Sequence, residues 1–335
     1  MPLRSYGVVT GRVVDRRRED HDDSPHFQIL LAGDGDTSYR AAVNVKSQES
    51  PSELLYLVVE DFRHPITDLL AGLPTGWTPL PSGPGGSNLD YIRGNVLDPA
   101  AMRPLPADAD GPDNDLPDLL DHYVQRAIDD PQAVLHVFGE RWGPEPGSDK
   151  IFGFAPGNGV HDVHMNQGNS AAFRRDDGVW QDGGLLFHFP GTSQWVAVFL
   201  AFQSQAWHTD DVAGHALDGA DPRPQPDGAV PMRIVAALVN PVGPAPETET
   251  VTVINASPAP VDLTGWRLAD RLKRSCPMPA GPVGAGATLT VTASDGMLLG
   301  NSGGAITLLD PDGVKVHGVS YTSDQVRREG WTAVF

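Results

Sequence analysis

Alternation of apolar and polar side chains starts near the N-terminus. Tyr6-Gly-Val-Val-Thr-Gly-Arg-Val-Val14 has the period of two expected of a strand with one buried face. The following stretch, 16–24, is densely charged and predicts an exposed loop. Apolar runs at Phe27–Leu31 and Tyr39–Val45 predict two further strands, the second leading into Lys46-Ser47. Ser50-Pro-Ser-Glu-Leu-Leu55 carries helix-start signals: Ser50 as N-cap, Pro51 at the first helical position and Glu53 three after the cap. Residues 72–88, rich in Gly and Pro, predict a loop. From Asp118 to Asp130 the positions Leu119, Leu120, Tyr123, Ala127 and Ile128 give an amphipathic helical rhythm, closed by Pro131. Val134–Gly139, Ile151–Phe154, Leu185–Phe189 and Trp195–Phe202 predict strands. The last is apolar on both faces and belongs in the centre of a sheet.

The pattern then changes. Residues 218–231 and 241–246 are rich in Pro, Gly and Asp and read as connector. Short strands separated by turn signals follow at Val251–Ile254, Thr288–Thr292, Ile306–Leu309 and Val316–Tyr321, the rhythm of a small β-sandwich. The expected organisation is a first domain over residues 1–217, a connector over 218–246 and a second domain over 247–335. The fold class is mixed α/β and strand-dominated for the first domain, and all-β for the second.

Charge supports that division. The chain of 335 residues carries 43 Asp+Glu against 24 Lys+Arg, a formal charge of −19. From Ala229 onward there are 8 basic and 9 acidic residues, so nearly the whole excess lies in the first part. Such a field disfavours nonspecific coating of nucleic acid or an anionic membrane. One cysteine, Cys276, excludes an intramolecular disulfide framework and a cysteine-cluster zinc site. No apolar run approaches the ~20 residues of a membrane span. The N-terminus has no apolar signal core, which predicts a cytoplasmic protein and leaves release by a non-Sec route open.

In the second domain, Asn255, Val261-Asp-Leu-Thr-Gly-Trp-Arg-Leu-Ala-Asp270, Gly300-Asn-Ser-Gly-Gly304, Ile306-Thr-Leu-Leu-Asp-Pro-Asp-Gly313 and Val319-Ser-Tyr321 occur in order. This set resembles a lamin-tail domain. The resemblance implies an immunoglobulin-like sandwich serving as an accessory module, often attached to hydrolases that include nucleases, and a surface for a protein partner. Trp266 suits the core between two sheets, and Arg271, Lys273 and Arg274 form a short basic segment that is either a polyanion contact or a solvated edge.

The first domain carries Val43-Asn-Val-Lys-Ser47, Leu89-Asp-Tyr-Ile-Arg93, Asp113-Asn-Asp-Leu116, Phe138-Gly-Glu-Arg-Trp-Gly-Pro-Glu145, Gly159-Val-His-Asp-Val-His-Met-Asn-Gln-Gly-Asn169, Gln181-Asp-Gly183, Phe199-Leu-Ala-Phe-Gln-Ser-Gln205, His208-Thr-Asp-Asp211 and Gly214-His215. Over residues 1–217 it resembles the YukJ-like family of uncharacterised bacterial proteins (domain of unknown function 2278), a resemblance that implies no particular reaction.

Chemistry must therefore come from the residues. The stretch His161-Asp-Val-His164-Met-Asn166, bounded by glycines, predicts a strand that places Asp162, His164 and Asn166 on one face, with His161 on the other. A carboxylate, an imidazole and an amide in a row can orient a general base, bind a metal or hold an oxyanion. A helix there would instead bring His161 and His164 together. Downstream, Thr209 or Asp210 could cap a short helix presenting Asp211 and His215 at i and i+4, a ligand-compatible spacing that is equally an ordinary ion pair. His208 follows the most apolar strand and is a further catalytic candidate, and Lys46 can neutralise developing negative charge. His188 reads as buried; Asp113 and Asp115 as a turn and helix start; Arg174-Arg175 as an anion contact or a hairpin edge. There is no Gly-x-Ser-x-Gly, phosphate loop, His-Glu-x-x-His or dinucleotide fingerprint.

The leading expectation is a phosphodiester hydrolase of nuclease type, with His161 or His164 as base. Asn166 and Asp162 orient it or bind a divalent metal (Mg or Zn), and His208 and Lys46 stabilise charge. The metal set is Asp162, Asp211 and His215. Two rivals stand beside it. One is a hydrolase of a peptide, amide or glycan polymer, with Glu140 or Glu145 paired with a histidine. The other is a non-enzymatic interaction protein.

Overall fold

A computed structural model of the chain describes residues 4–19, 25–47, 54–80, 87–165, 182–205, 208–210, 215–217, 230–243 and 248–335. The first domain begins with β1 (Tyr6–Arg18), β2 (His26–Ala32), β3 (Ser38–Asn44) and β4 (Leu54–Val59). A short helix α1 (Ile66–Leu70), β5 (Gly76–Pro79) and β6 (Arg103–Leu105) follow. Then come α2 (Leu116–Asp129), β7 (Val134–Glu145), β8 (Gly157–His161), β9 (Gly184–Phe189) and β10 (Gln194–Phe202).

Five of these strands close into a ring. β1 pairs with β2, β2 with β3, β3 in parallel with β8, β8 with β7, and β7 back onto β1. The length of β1 makes closure feasible: Tyr6–Gly11 pair with β7, and Arg12–Arg18, beyond which the strand ends, pair with β2. A register shift between Val13 and Asp15 bends it there. Inside the barrel, Val9, Val13, Phe27, Ile29, Leu31, Ala41, Val43 and Val160 pack together with the buried face of α2. That helix is fixed by Asp115, whose carboxylate accepts the Asp118 N–H at 2.9 Å as N-cap. From β7 the sheet continues outward through β9, β10, β4 and β6. β10 lies between β9 and β4 with core on both sides, as its double apolar face predicts.

Closure requires one close approach. β3 and β8 touch in parallel at Arg40–Gly159 and Ala41–Val160, and a Cβ on Gly159 would stand 1.8 Å from the Arg40 carbonyl oxygen.

Several local expectations give way to pairing. Of the helix start expected at Ser50–Leu55, residues 50–53 lie outside the described residues, and Leu54 and Leu55 open β4, where Leu54-Leu-Tyr-Leu-Val-Val59 completes a ladder with β10. Within 72–88, Gly76–Pro79 pairs with β1 as β5. The charged stretch read as loop from Arg16 is strand to Arg18. Ile151–Phe154 is not a strand: the Asp149 carboxylate accepts the N–H groups of Ile151 and Phe152 and winds a turn there.

The second domain is a sandwich. Its strands are β11 (Met232–Leu238), β12 (Thr250–Asn255), β13 (Val261–Asp262), β14 (Arg267–Asp270), β15 (Ser275–Pro277), β16 (Pro282–Val283), β17 (Thr288–Thr292), β18 (Gly303–Leu309), β19 (Lys315–Thr322) and β20 (Ala333–Val334). One sheet runs β17-β12-β11-β20 and the other β15-β14-β18-β19, with the β13–β16 pair beside them. Trp266 sits in the core between them. β11 falls inside the stretch read as connector, so the sandwich begins by Met232.

The two domains are joined by buried polar contacts. Asn95, in the left-handed region at φ 50°, donates through Nδ2 to the Ile306 carbonyl at 2.9 Å, the Val319 carbonyl at 3.2 Å and the Thr307 hydroxyl at 3.1 Å. The facing Gly318 leaves room for it, since a Cβ there would lie 1.9 Å from Asn95 Oδ1. Lys315 Nζ donates to the Tyr91 carbonyl, and Asp210 forms a bridge with Val314. The lamin-tail-like sandwich is thus docked on the first domain. Among the described residues, no helix is long and apolar enough to cross a membrane.

Two outcomes are expected. Gly159→Ala forces the barrel seam apart and lowers stability by about 3 kcal/mol or more, read from the urea midpoint. Gly318→Val displaces Asn95 and frees the domains, raising the radius of gyration in X-ray scattering while leaving far-ultraviolet circular dichroism intact.

Candidate functional site

The period of two along β2 and β3 sends Phe27, Ile29, Leu31, Ala41 and Val43 into the barrel, and His26, Gln28, Arg40 and Ala42 to its outer side. These four line a cleft of about 450 Å³ together with Glu19, Trp142, Glu145, Asp149, Lys150 and His161. The residues therefore come from the β2–β3 face, the end of β1, the β7–β8 connection and the tip of β8.

A hydrogen-bonded chain crosses this cleft. Arg40 Nε donates to Asp149 at 2.6 Å, and its Nη1 donates to Gln28 Oε1 at 2.8 Å. Gln28 Nε2 in turn donates to Glu19 at 2.6 Å. The guanidinium also lies over the Trp142 ring, 4.6 Å from its centroid. Arg40 and Asp149 are both buried, with side chains 8% and 0% exposed, so this pair is held out of water. Burial pushes the Asp149 carboxyl up, but the Phe152 N–H, the Arg40 guanidinium and the Ile151 N–H together hold it below the usual carboxylate range.

At the tip of β8 the chain turns sharply. Asp162 takes φ 53°, so the strand ends at His161 and does not run on through Asp162 and His164 as expected. Breaking the alternation brings Asp162 between the two histidines instead. His161 Nδ1 lies 3.0 Å from Asp162 Oδ2, and His164 Nε2 lies 3.8 Å from Oδ1. Burial opposes ionisation of Asp162, but the His161 imidazole against one oxygen and the His164 ring near the other hold its carboxyl well below the usual range. The Asp162 hydrogen bond raises the pKa of His161 above the ordinary 6.5 against a smaller opposing effect of burial.

The two histidines differ in access. His161 has a side chain 41% exposed and opens onto the cleft. His164 is sealed: Nδ1 donates to the Met165 carbonyl at 2.8 Å, and the ring packs 4.4 Å from Phe202. His164 thus stands beside Asp162, its Nε2 3.8 Å from Oδ1, and does not face solvent.

The other candidates are placed elsewhere. His208 is exposed and lines a separate cleft at the domain junction, with Tyr91, Trp266 and His317. It shares no described cleft with His161. Around His215, Thr209 and Ala216 bridge and Asp210 N donates to the His215 carbonyl. The i, i+4 face expected of Asp211 and His215 rests on residues 211–214, which lie outside the described residues. Asn166, Asp211 and Arg174-Arg175 lie outside the described residues. Lys46 is exposed beyond the end of β3. Glu140 accepts the N–H groups of Arg4 and Ser5 at 2.8 and 3.1 Å and is committed to holding the N-terminal segment, whereas Glu145 is exposed in the cleft. His188 stacks on Trp195 at 4.2 Å. Among the described residues no three His, Cys, Asp or Glu side chains are grouped to hold a metal ion.

Sequence reading missed Arg40, Gln28, Asp149 and Glu19. Arg40, standing among Tyr39, Ala41, Ala42 and Val43, carried a signal: a charge inside an apolar strand requires a buried partner.

Breaking that pair tests the cleft's frame. Arg40→Leu leaves the Asp149 carboxylate buried without its cation and costs about 3–5 kcal/mol. The depressed Asp149 and Asp162 both add stability that is present above the unfolded carboxylate pKa of ~3.9 and lost as pH falls below it. Denaturant midpoints of the intact protein should accordingly fall on the acid side, and Asp162→Asn should flatten that fall.

Comparison with known proteins agrees with this two-part architecture. Residues 1–214 match the family described as an uncharacterized conserved protein, DUF2278, and residues 230–323 match the Lamin Tail Domain. The chain is 46% identical over 213 residues to the uncharacterized protein YukJ of Bacillus subtilis (strain 168), covering 63% of this chain and 93% of that protein. No solved structure matches it significantly.

Proposed function

This chain belongs to the DUF2278 family of uncharacterized conserved proteins, and on that footing we propose that it is a hydrolase of a neutral polar polymer laid along the β2–β3 face of its barrel. The observation that carries the reading is the His161–Asp162 pair at 3.0 Å, opening onto a cleft large enough for several residues of a chain. Five-stranded Greek-key barrels of the OB type bind oligonucleotides and oligosaccharides on this same face and its flanking loops, a fold-level analogy that lends support to the placement.

Two features favour a neutral substrate over a phosphodiester. Glu19, Glu145 and Asp149 stand in the cleft against Arg40 and Lys150, and Arg40 is already neutralised by Asp149. The surrounding field of a chain with charge −19 also repels a polyanion. Of the two hydrolase readings, the peptide, amide or glycan one therefore fits the charge better.

Roles follow from the electrostatics. With its pKa raised, His161 is protonated over more of the neutral range and suits the general acid that protonates a leaving group. Asp162, kept ionised, fixes the ring's tautomer and stabilises the imidazolium. Glu145, in the same cleft, is the carboxylate available to take a proton from the attacking water.

The test is incubation of the intact protein with neutral oligosaccharides and peptides, and with single-stranded DNA, followed by mass spectrometry of products. Cleavage of a neutral polymer that falls by about 10²–10⁴-fold in His161→Gln is expected. Because the acid must be protonated, the rate should fall as pH rises through a value above 6.5, and Asp162→Asn should move that fall to lower pH. Cleavage of DNA alone, or turnover unchanged in His161→Gln, contradicts the reading.

A further inference from the structure

A third cleft, of about 370 Å³, lies where α1 and the 88–94 segment of the first domain meet the sandwich. It is distinct from the barrel cleft and shares no lining residue with it. Three features single it out. Asn88 is 7% exposed and lines the cleft, yet its Nδ2 has no hydrogen-bond partner, an orphaned donor of the kind that folding leaves unsatisfied only at a cost. Each domain also contributes a guanidinium, Arg93 from the first and Arg271 from the second. Finally, the Ser302 hydroxyl borders the same space, while Ile66 and Leu69 give it an apolar wall.

Two carboxylates, Asp68 and Asp90, line the cleft with the two guanidinium groups, so it is formally neutral and its selectivity rests on directed donors. Asp90 is engaged: its carboxylate accepts the N–H groups of Ile92 and Arg93 and lies 3.2 Å from Arg93 Nη1, which fixes that side chain at the cleft. Asp68 is exposed on α1. His64 donates through Nε2 to the Gly94 carbonyl, accepts the Ile66 N–H at Nδ1 and is neutral, so it adds no charge to the cleft.

We propose that this junction binds the phosphate of a small phosphate monoester, with Arg93 and Arg271 supplying guanidinium donors, Asn88 and Ser302 supplying neutral donors, and the organic part resting on Ile66 and Leu69. Guanidinium groups match phosphoryl oxygens in geometry, and a terminal phosphate offers acceptors enough for all four donors. The site exists only with both domains in place, which gives the docked sandwich a role in ligand recognition. The inference is independent of the hydrolase reading, since no residue is shared.

The experiment is isothermal titration of the intact protein with inorganic phosphate and with glycerol 3-phosphate, at constant ionic strength. Saturable binding at one site is expected, with glycerol 3-phosphate the tighter of the two. Arg271→Gln, an exposed substitution that leaves folding intact, should weaken both by tenfold or more, and Asn88→Leu should weaken them further. His161→Gln should bind phosphate as the native chain does. Absence of saturable binding, equal affinity in Arg271→Gln, or loss in His161→Gln would overturn the proposal.

Discussion

The first domain depends on one contact between backbones. Where β3 and β8 run in parallel, Gly159 presses against the Arg40 carbonyl at a distance that admits no side chain. Without that seam β2 and β3 would hang as an open edge. With it, the ring closes, its interior fills with valine, isoleucine and leucine, and the outer side of β2–β3 faces the end of β8. The same contact therefore settles both the fold and the position of His161. Because β8 stops at a left-handed aspartate, the chain delivers an imidazole to the cleft and a carboxylate against it within two residues.

Polarity on the outer face is a consequence of how the barrel is covered. Arg40 cannot reach water freely and is instead locked between Asp149, Gln28 and the Trp142 ring. A buried ion pair of this kind gives little net stability against an apolar alternative, and its value lies in fixing geometry. Here it pins the β7–β8 connection to β3 and leaves Glu145 and Lys150 exposed at the cleft. The sandwich is held in a comparable manner: Asn95 reaches across to two neighbouring strands, and a glycine makes way for it. Rigid docking by a buried amide distinguishes this arrangement from a module on a flexible tether.

Much of the scaffold was legible in the sequence because its signals were local and mutually consistent. The alternation in β2 and β3, the helical rhythm of α2 with Asp115 before it, and the double apolar face of β10 each had one interpretation. The Leu-Thr-Gly-Trp266 turn and the Asp310-Pro-Asp-Gly313 hairpin marked the sandwich in the same way. Illegible parts depended on partners distant in sequence. Leu54 and Leu55, read as part of a helix start, are strand because β10 offers a ladder. The strand expected through His164 fails at Asp162, whose positive φ is set by tertiary packing. Within the candidate site, His161 and Asp162 were visible as a polar cluster, but their direct pairing and the burial of His164 were not. Arg40 and Asp149, 109 residues apart, could not be paired from sequence at all.

The central claim is that His161 is an acid held by Asp162 at the mouth of a cleft. Its most direct test is a nuclear magnetic resonance titration of the His161 ring in the intact protein and in Asp162→Asn. A pKa above 6.5 that drops when the carboxylate is removed is the predicted result. A ring titrating at or below 6.5, indifferent to Asp162, would contradict the account.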